Sequence, residues 1–254
     1  MKKVKILNTN ISEINLIQAA KVLTSGNKKS VAVCNANSLV RSYKDVEVNK
    51  ILNSFDIALP DGFPVAKASS ILYKNQQKRV DGYKIFNETI RTGIENNTSH
   101  YFFGNSEQVI QKLISELKKK YPKVNIAGYN CPPIDSAEAL SSPEYQKEIL
   151  NINPDIVWVS LGFPKQEKVI ANFMNSKEFN SNFVGIGFAI EWVAGTKIKA
   201  PEFLANVGLE WVFRLIQEPK RLYKRYLIDN SLFIFYFIKQ ILLNDKESKK
   251  DENI

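Results

Sequence analysis

Histidine occurs once in this 254-residue chain, at His100, and cysteine twice, at Cys34 and Cys131. One imidazole and two thiols exclude a zinc site of the usual Cys/His kind, a Ser-His-Asp triad and a disulfide framework. So few cysteines suit a reducing cytoplasm. The chain contains no P-loop and no Asp-x-Asp pair to chelate a metal–nucleotide complex. Gly185-Ile186-Gly187 lacks the third glycine of the dinucleotide fingerprint, where Ile190 stands, and this argues against an NAD enzyme. Long apolar runs are also missing. Leu232 to Ile238 is interrupted by Lys239-Gln240, and even extended to Leu243 it falls short of the roughly 20 residues that a spanning helix needs. The opening MKKVKILNTNIS has basic residues but no apolar core of a signal peptide. The expectation is a chain that does not cross a membrane and is able to lie on one.

What the chain has is positive charge, +9 in total, on an otherwise ordinary composition of 44% hydrophobic and 24% charged residues. That excess suits an anionic partner: nucleic acid, a phosphorylated substrate or an acidic membrane surface. Short apolar runs alternate with amphipathic stretches from the start. Strands are expected at Val4 to Leu7, Val31 to Val33, Asp56 to Leu59, Tyr101 to Phe103 and Val124 to Ala127, then at Ile156 to Leu161 and Phe183 to Ile190. Helices are expected at Ile11 to Leu23, from a Ser38 cap to Phe55, from Gly82 to Asn97, at Glu107 to Lys120 and at Ser142 to Leu150. This alternation predicts an α/β, Rossmann-like, mostly parallel doubly wound sheet. Ligands of such sheets bind at the carboxyl ends of the strands.

Residues 201–243 read as a C-terminal helical appendage to a core of residues 1–200, and 244–254 as a disordered tail without pattern. One helix is expected from Pro201 to Gln217, with Pro219 opening a second that turns from basic to apolar. Arg214, Arg221 and Arg225, spaced by seven and four, would share a face on a continuous axis. Basic residues beside exposed aromatics fit an interfacial helix on anionic lipid; packing on the domain or on a second subunit fits as well.

The strand-end loops collect the polar residues. Asn35 and Asn37 follow the second strand, and each is also a natural cap for the helix that comes next. Asp61 lies in Pro60-Asp61-Gly62, which by itself is a turn signal. Arg79 and Asp81 precede the next helix. Gly104-Asn105-Ser106 offers helix-start N–H groups to a phosphate. Lys165, Gln166, Glu167 and Glu191 follow the last two strands.

Read in order, the strings PDGFPVAKA, RVDG, YFFGNSEQVIQKL, NPDIVWVSLGFPKQEKVI, GIGFAIEWVAGT and APEFLANVGLEWVFRLIQEPKRLYKRYL resemble the WecG/TagA/CpsF family of bacterial glycosyltransferases over nearly the whole chain. The resemblance implies transfer of an N-acetylmannosamine-type or related sugar from a UDP donor to a polyprenyl-diphosphate-linked saccharide, with inversion and without a metal or other cofactor. It implies that Asp61 is the general base and that Arg79 counters charge on the departing diphosphate. Gln166, with Lys165, falls in the substrate-contacting PKQE string, and Asn37 in the loop facing the donor sugar. Arg214, Arg221 and Arg225 match basic positions of an appendage associated with membrane docking and with covering the active site. The implied place is the cytoplasmic face of the plasma membrane, in assembly of a surface polysaccharide such as capsule or teichoic acid, and a homo-oligomer is compatible. The chain departs from the pattern at Asn35, where relatives have threonine, and at Lys84 and Glu191, where they have aspartate. Cys131-Pro132-Pro133 replaces a Gly-aromatic loop. The alternative is a catalytically inactive, membrane-associated partner of another transferase. A nucleic-acid binder would explain the charge and nothing else.

Overall fold

A computed structural model describes residues 1–26, 28–176 and 178–251. In chain order the elements are β1 (Lys3–Ile6), β2 (Thr9–Ser12), α1 (Leu16–Leu23), β3 (Ser30–Cys34), α2 (Ala36–Lys44), α3 (Val46–Ser54), β4 (Ile57–Pro60), α4 (Phe63–Tyr73) and α5 (Gly82–Gly93). There follow β5 (Ser99–Gly104), α6 (Glu107–Lys120), β6 (Asn125–Asn130), α7 (Ala137–Leu140), α8 (Pro143–Ile152), β7 (Ile156–Ser160), α9 (Lys165–Asn175), β8 (Asn182–Gly185) and α10 (Ala189–Val193). The chain closes with α11 (Glu202–Asn206), α12 (Glu210–Gln217), α13 (Pro219–Tyr223), a π-helical turn (Lys224–Asp229) and α14 (Asn230–Asp251).

Six strands form one sheet in the order β4-β3-β8-β7-β5-β6, and every pairing in it is parallel. Helices cover both faces, so the strands are buried on both sides and their side chains alternate between two cores. Val157, Val159 and Phe183 join Phe103, Phe173 and Phe179 on one face. Ile156, Trp158 and Val184 join Phe86, Phe102 and Leu113 on the other. The expected doubly wound α/β sheet is what the chain forms.

Several boundaries differ from the sequence reading. The expected helix from Ile11 starts only at Leu16, because Leu7 and Asn8 turn the chain in the left-handed region and 9–12 pairs back on β1 as an antiparallel hairpin. Asn15 then caps α1 in a reciprocal box with Gln18. Asn35, not Ser38, caps α2; Ser38 is its reciprocal partner in the box. The single helix expected to Phe55 is interrupted at Asp45, whose carboxylate accepts from the N–H groups of Glu47 and Val48 and starts α3. The last strand ends at Gly185 rather than Ile190, and residues 189–193 are helical.

The expected helix from Pro201 to Gln217 is two helices. Gly208 lies between them at φ +80°, and a Cβ there would sit 3.0 Å from the Phe63 ring. After Pro219 the axis is continuous and α14 runs to Asp251, with 252–254 outside the described residues. Pro219–Leu243 spans 25 residues and holds an 18-residue window of mean hydropathy 1.3, long and apolar enough by length and composition to cross a membrane. The sequence reading took the helix from Pro219 as one element but counted only its apolar run from Leu232 against the length of a span. The helix nevertheless packs along the core. Phe233 is buried, Tyr236 meets Tyr43 at 4.5 Å between ring centroids, and the Gln240 amide bonds the backbone of Lys5 and Leu7.

Candidate active site

The carboxyl ends of β3, β4, β5, β7 and β8 open onto one cleft of about 580 Å³, and the appendage forms its far wall. A second, narrower cavity of about 90 Å³ runs between the start of α4 and helices α11–α14. Asn35, Asp61, Arg214 and Arg225 line both, so they form the partition between them.

Asp61 takes its place from β4. Its backbone N–H donates to the Cys34 carbonyl, 2.8 Å away, which extends the β3–β4 ladder by one residue and holds the side chain at the partition. Among the described residues its carboxylate accepts no hydrogen bond. Burial, then the Asp81 and Glu210 carboxylates, push its pKa up to about 6, against the pull of Arg79 and Arg214. Such a group is ionised at neutral pH yet basic enough to take a proton.

Arg79 lines the narrow cavity. It is held by two acids: Asp81, 2.9 Å away, and Glu210 of α12, 2.5 Å away across 131 residues of sequence. Asn37 lies on the same side and donates from Nδ2 to Asp229 in the π-helical turn. Neither Glu210 nor Asp229 stood out in the sequence, because nothing local ties them to Arg79 or Asn37. Glu210 does lie in the GLEW string quoted above.

Arg214 and Arg221 stack on aromatic rings of the core. Arg214 lies 4.8 Å from the Phe188 ring centroid and 5.0 Å from that of Trp192, and Arg221 is 4.9 Å from Phe188. The axis on which they were expected to share a face breaks at Glu218–Pro219, yet both line the wide cleft together with Arg225. Arg221 is paired with Glu218, whereas Arg214 and Arg225 make no ion pair among the described residues. Burial, with Arg214 close by, lowers the Arg225 pKa. Two unpaired guanidinium groups facing a cleft are a ready partner for a polyanion.

The opposite wall is built by strand ends. Gly104 passes so close to β7 that a Cβ would fall 2.6 Å from the Ser160 carbonyl oxygen. Asn105 binds Ser160 through its backbone N–H and through Nδ2, and Ser106 caps α6. Asn105 and Ser106 line the cleft; Gly104 supports them from behind. Lys165 and Gln166 open α9 at the floor, and Glu191 stands on α10, its pKa raised by burial against the pull of Arg221 and Lys197. Lys84 is drawn away to Glu202, 2.5 Å from it. Glu167, next to Gln166 on α9, lines neither cavity; the sequence reading noted it but did not place it among the site residues. It is buried, with one oxygen unpartnered among the described residues, and burial pushes its pKa up to about 7.

All the sequence-predicted residues therefore border the two cavities, or in the case of Gly104 support them. Among the described residues no three His, Cys, Asp or Glu side chains gather as a metal ligand set. A strand-end cleft with free guanidinium groups and a basic carboxylate at its partition can bind a diphosphate and remove a proton beside it. Comparison with known proteins points the same way. A relative from Bacillus subtilis (strain 168), an N-acetylglucosaminyldiphosphoundecaprenol N-acetyl-beta-D-mannosaminyltransferase, is 29% identical over 197 residues, covering 78% of this chain and 74% of its own. A Staphylococcus aureus (strain MW2) protein of the same name is 25% identical over 229 residues, 87% of each chain. The family model described as Glycosyl transferase WecG/TagA/CpsF family matches residues 4–247, nearly the whole fold with its appendage, and the chain belongs to that family.

Proposed function

We propose that the protein is an inverting transferase that moves an N-acetylmannosamine-type sugar from a UDP donor to a polyprenyl-diphosphate-linked saccharide. The observation that carries the reading is the position of Asp61 in the partition shared by two cavities. The wide cleft has the volume, the helix starts and the arginines for a nucleotide sugar. The narrow one, lined by Phe63, Trp211 and Tyr226, suits the acceptor's end. A carboxylate between them reaches the acceptor hydroxyl as that oxygen attacks the anomeric carbon.

In this mechanism Asp61 takes the hydroxyl proton, a contribution of about 10²–10⁴ in rate. The C–O bond to the diphosphate breaks on the opposite face. Arg214, Arg221 and Arg225 balance the charge that builds on the leaving UDP, electrostatic stabilisation aimed at the transition state. Arg79, which the resemblance assigns to the departing diphosphate, borders the narrow cavity paired with Asp81 and Glu210, and we assign it instead to opposing their effect on Asp61. No step draws on a metal.

The apolar side chains along α12–α14 that point outward, among them Ile216, Leu227, Ile234 and Phe235, suit the cytoplasmic surface of a membrane that holds a polyprenyl acceptor. The relatives' name describes such an acceptor, N-acetylglucosaminyldiphosphoundecaprenol, and the donor group is N-acetylmannosaminyl in their case. A role in surface polysaccharide assembly follows from that acceptor class.

The test is UDP release from UDP-N-acetylmannosamine with and without a short polyprenyl-diphosphate N-acetylglucosamine, in wild type and in Asp61→Asn. Acceptor-dependent release that collapses in the variant is expected. Release that survives in it removes Asp61 as the base, and no release with any UDP-sugar from folded protein favours a non-catalytic partner.

A further inference from the structure

The outward apolar row on the appendage has a neighbour in the core. Helix α4 buries Val65, Ala68 and Ser69 and turns Phe63, Lys67, Ile71 and Lys74 outward. Steps of four, four and three residues put these four on one face, apolar and basic in alternation. Phe63 is 43% and Ile71 48% exposed. Residues 62–80 contain four basic side chains, at Lys67, Lys74, Lys78 and Arg79, and no acid. Arg79 is held by Asp81 and Glu210, whereas Lys67, Lys74 and Lys78 make no ion pair among the described residues.

Helix α4 lies against the appendage at both ends. Its first residue meets the joint between α11 and α12, where a Cβ on Gly208 would fall 3.0 Å from the Phe63 ring. At its last residue the Tyr73 hydroxyl donates to the Lys5 carbonyl, which also accepts from the Gln240 amide of α14, each bond 3.0 Å long. The outer face of α4 thus runs from exposed Phe203 and Val207, beside Gly208, to exposed Ile238 and Leu242, on either side of Gln240. The acid of α11, Glu202, is taken up by Lys84.

Large apolar side chains alternating with unpaired lysines suit a surface that is anionic above and apolar beneath. A symmetric contact with a second copy would set this face against itself and bring lysine towards lysine. We propose that α4 is a second lipid-contact element, seated on anionic headgroups beside the appendage, so that the catalytic core itself touches the membrane. This rests on the membrane-surface reading above and extends it from the appendage to the core. Its consequence lies at the narrow cavity. Phe63 belongs both to that cavity's lining and to the exposed face, and Asp61 stands two residues before it. Seating α4 on the headgroups holds the cavity's rim at the surface. The acceptor's diphosphate then reaches the partition while its polyprenyl chain stays in the bilayer.

The experiment follows lysine acetylation in the wild-type protein by mass spectrometry, with and without vesicles of equal parts phosphatidylglycerol and phosphatidylcholine. Vesicles are expected to slow modification of Lys67 and Lys74 together with Lys220 and Lys224 of the appendage. Lys21 and Lys118 serve as controls, because their helices cover the opposite face of the sheet, with Leu23 and Leu117 in the other core from Val65 and Ala68. They should react at the same rate in both samples. Affinity for the vesicles gives a second readout. The Lys67→Gln/Lys74→Gln double variant should bind about 25-fold more weakly, about fivefold for each basic side chain near an anionic surface. Lys21→Gln/Lys118→Gln loses the same charge and should change affinity by less than about twofold, since these positions lie beyond a Debye length of about 8 Å from the lipid.

Protection of Lys220 and Lys224 with Lys67 and Lys74 left open keeps the appendage on the membrane and overturns the proposal for α4. So does a Lys67/Lys74 variant that binds like the control. Protection of Lys67 and Lys74 that grows with protein concentration in the absence of vesicles assigns the face to a second copy and overturns it as well. A wild type that binds no vesicles and shows no protection at any of the four lysines removes the membrane reading itself, and UDP release then still decides the transferase reading.

Discussion

Asp61→Asn should separate two effects in one protein. Activity falls, because an amide cannot take the acceptor proton. Stability rises, because the folded state raises the Asp61 pKa from 3.8 to about 6. A carboxyl whose pKa is raised on folding is penalised when ionised. The penalty is full above the folded value and absent below the unfolded one. The variant should thus gain on the order of 1–2 kcal/mol at pH 8, after allowance for cleft water, and nothing at pH 3. Thermal melts at both values check it. The same pKa places a limb in the wild-type pH profile: kcat/KM should fall by about tenfold per unit below pH 6 as the base becomes protonated. A limb centred near 4 would mean that Asp61 is not the group that titrates.

At the scale of elements, the appendage is assembled from short helices whose joints carry the geometry. Gly208 is one joint: its φ of +80° and its closeness to Phe63 both oppose a side chain. Gly208→Ala should cost about 1–2 kcal/mol locally, since a left-handed conformation is strained for any residue with a Cβ. Hydrogen exchange in α11 and α12 should speed up by about tenfold while the sheet strands stay protected. Equal acceleration everywhere would show that the appendage does not open independently of the core. This joint also marks where the sequence stops being informative. The strands at 156–160 and 183–185 were legible because β-branched and aromatic runs have one stable use, the middle of a parallel sheet. The break at 208 depends on the Phe63 ring, 145 positions away, and no local pattern carries that. The same holds for Arg79 with Glu210 and Asn37 with Asp229. The motif residues were readable one by one, but their carboxylate partners were set by tertiary packing.

The whole molecule combines a net charge of +9 with a row of outward apolar side chains on its last helices. It should sediment with vesicles containing anionic lipid and much less with neutral ones, and added salt should release part of it, since each basic residue near such a surface contributes about 1 kcal/mol. Replacing Phe235 by Asp should weaken vesicle binding while leaving the melting temperature within a degree or two, because a surface position of this kind carries about 0.5 kcal/mol or less. Salt-insensitive binding to neutral vesicles would point to insertion of the whole helix instead. Chelation is a separate test of the transfer chemistry: EDTA-treated protein should retain its acceptor-dependent UDP release, and loss restored by a divalent ion would place a metal in the reaction.

The strand order also bears on how the protein is made. β3 and β4 come early in the chain, and β5, β6 and β7 follow as a separate group. The two groups touch only through β8, which lies between β3 and β7 and is translated after all of them. Until residues 182–185 leave the ribosome, the nascent chain holds two unjoined half-sheets with bare inner edges. Its burden on chaperones should therefore peak just before β8 emerges, and a ribosome stalled short of that point should display a chain open to proteases.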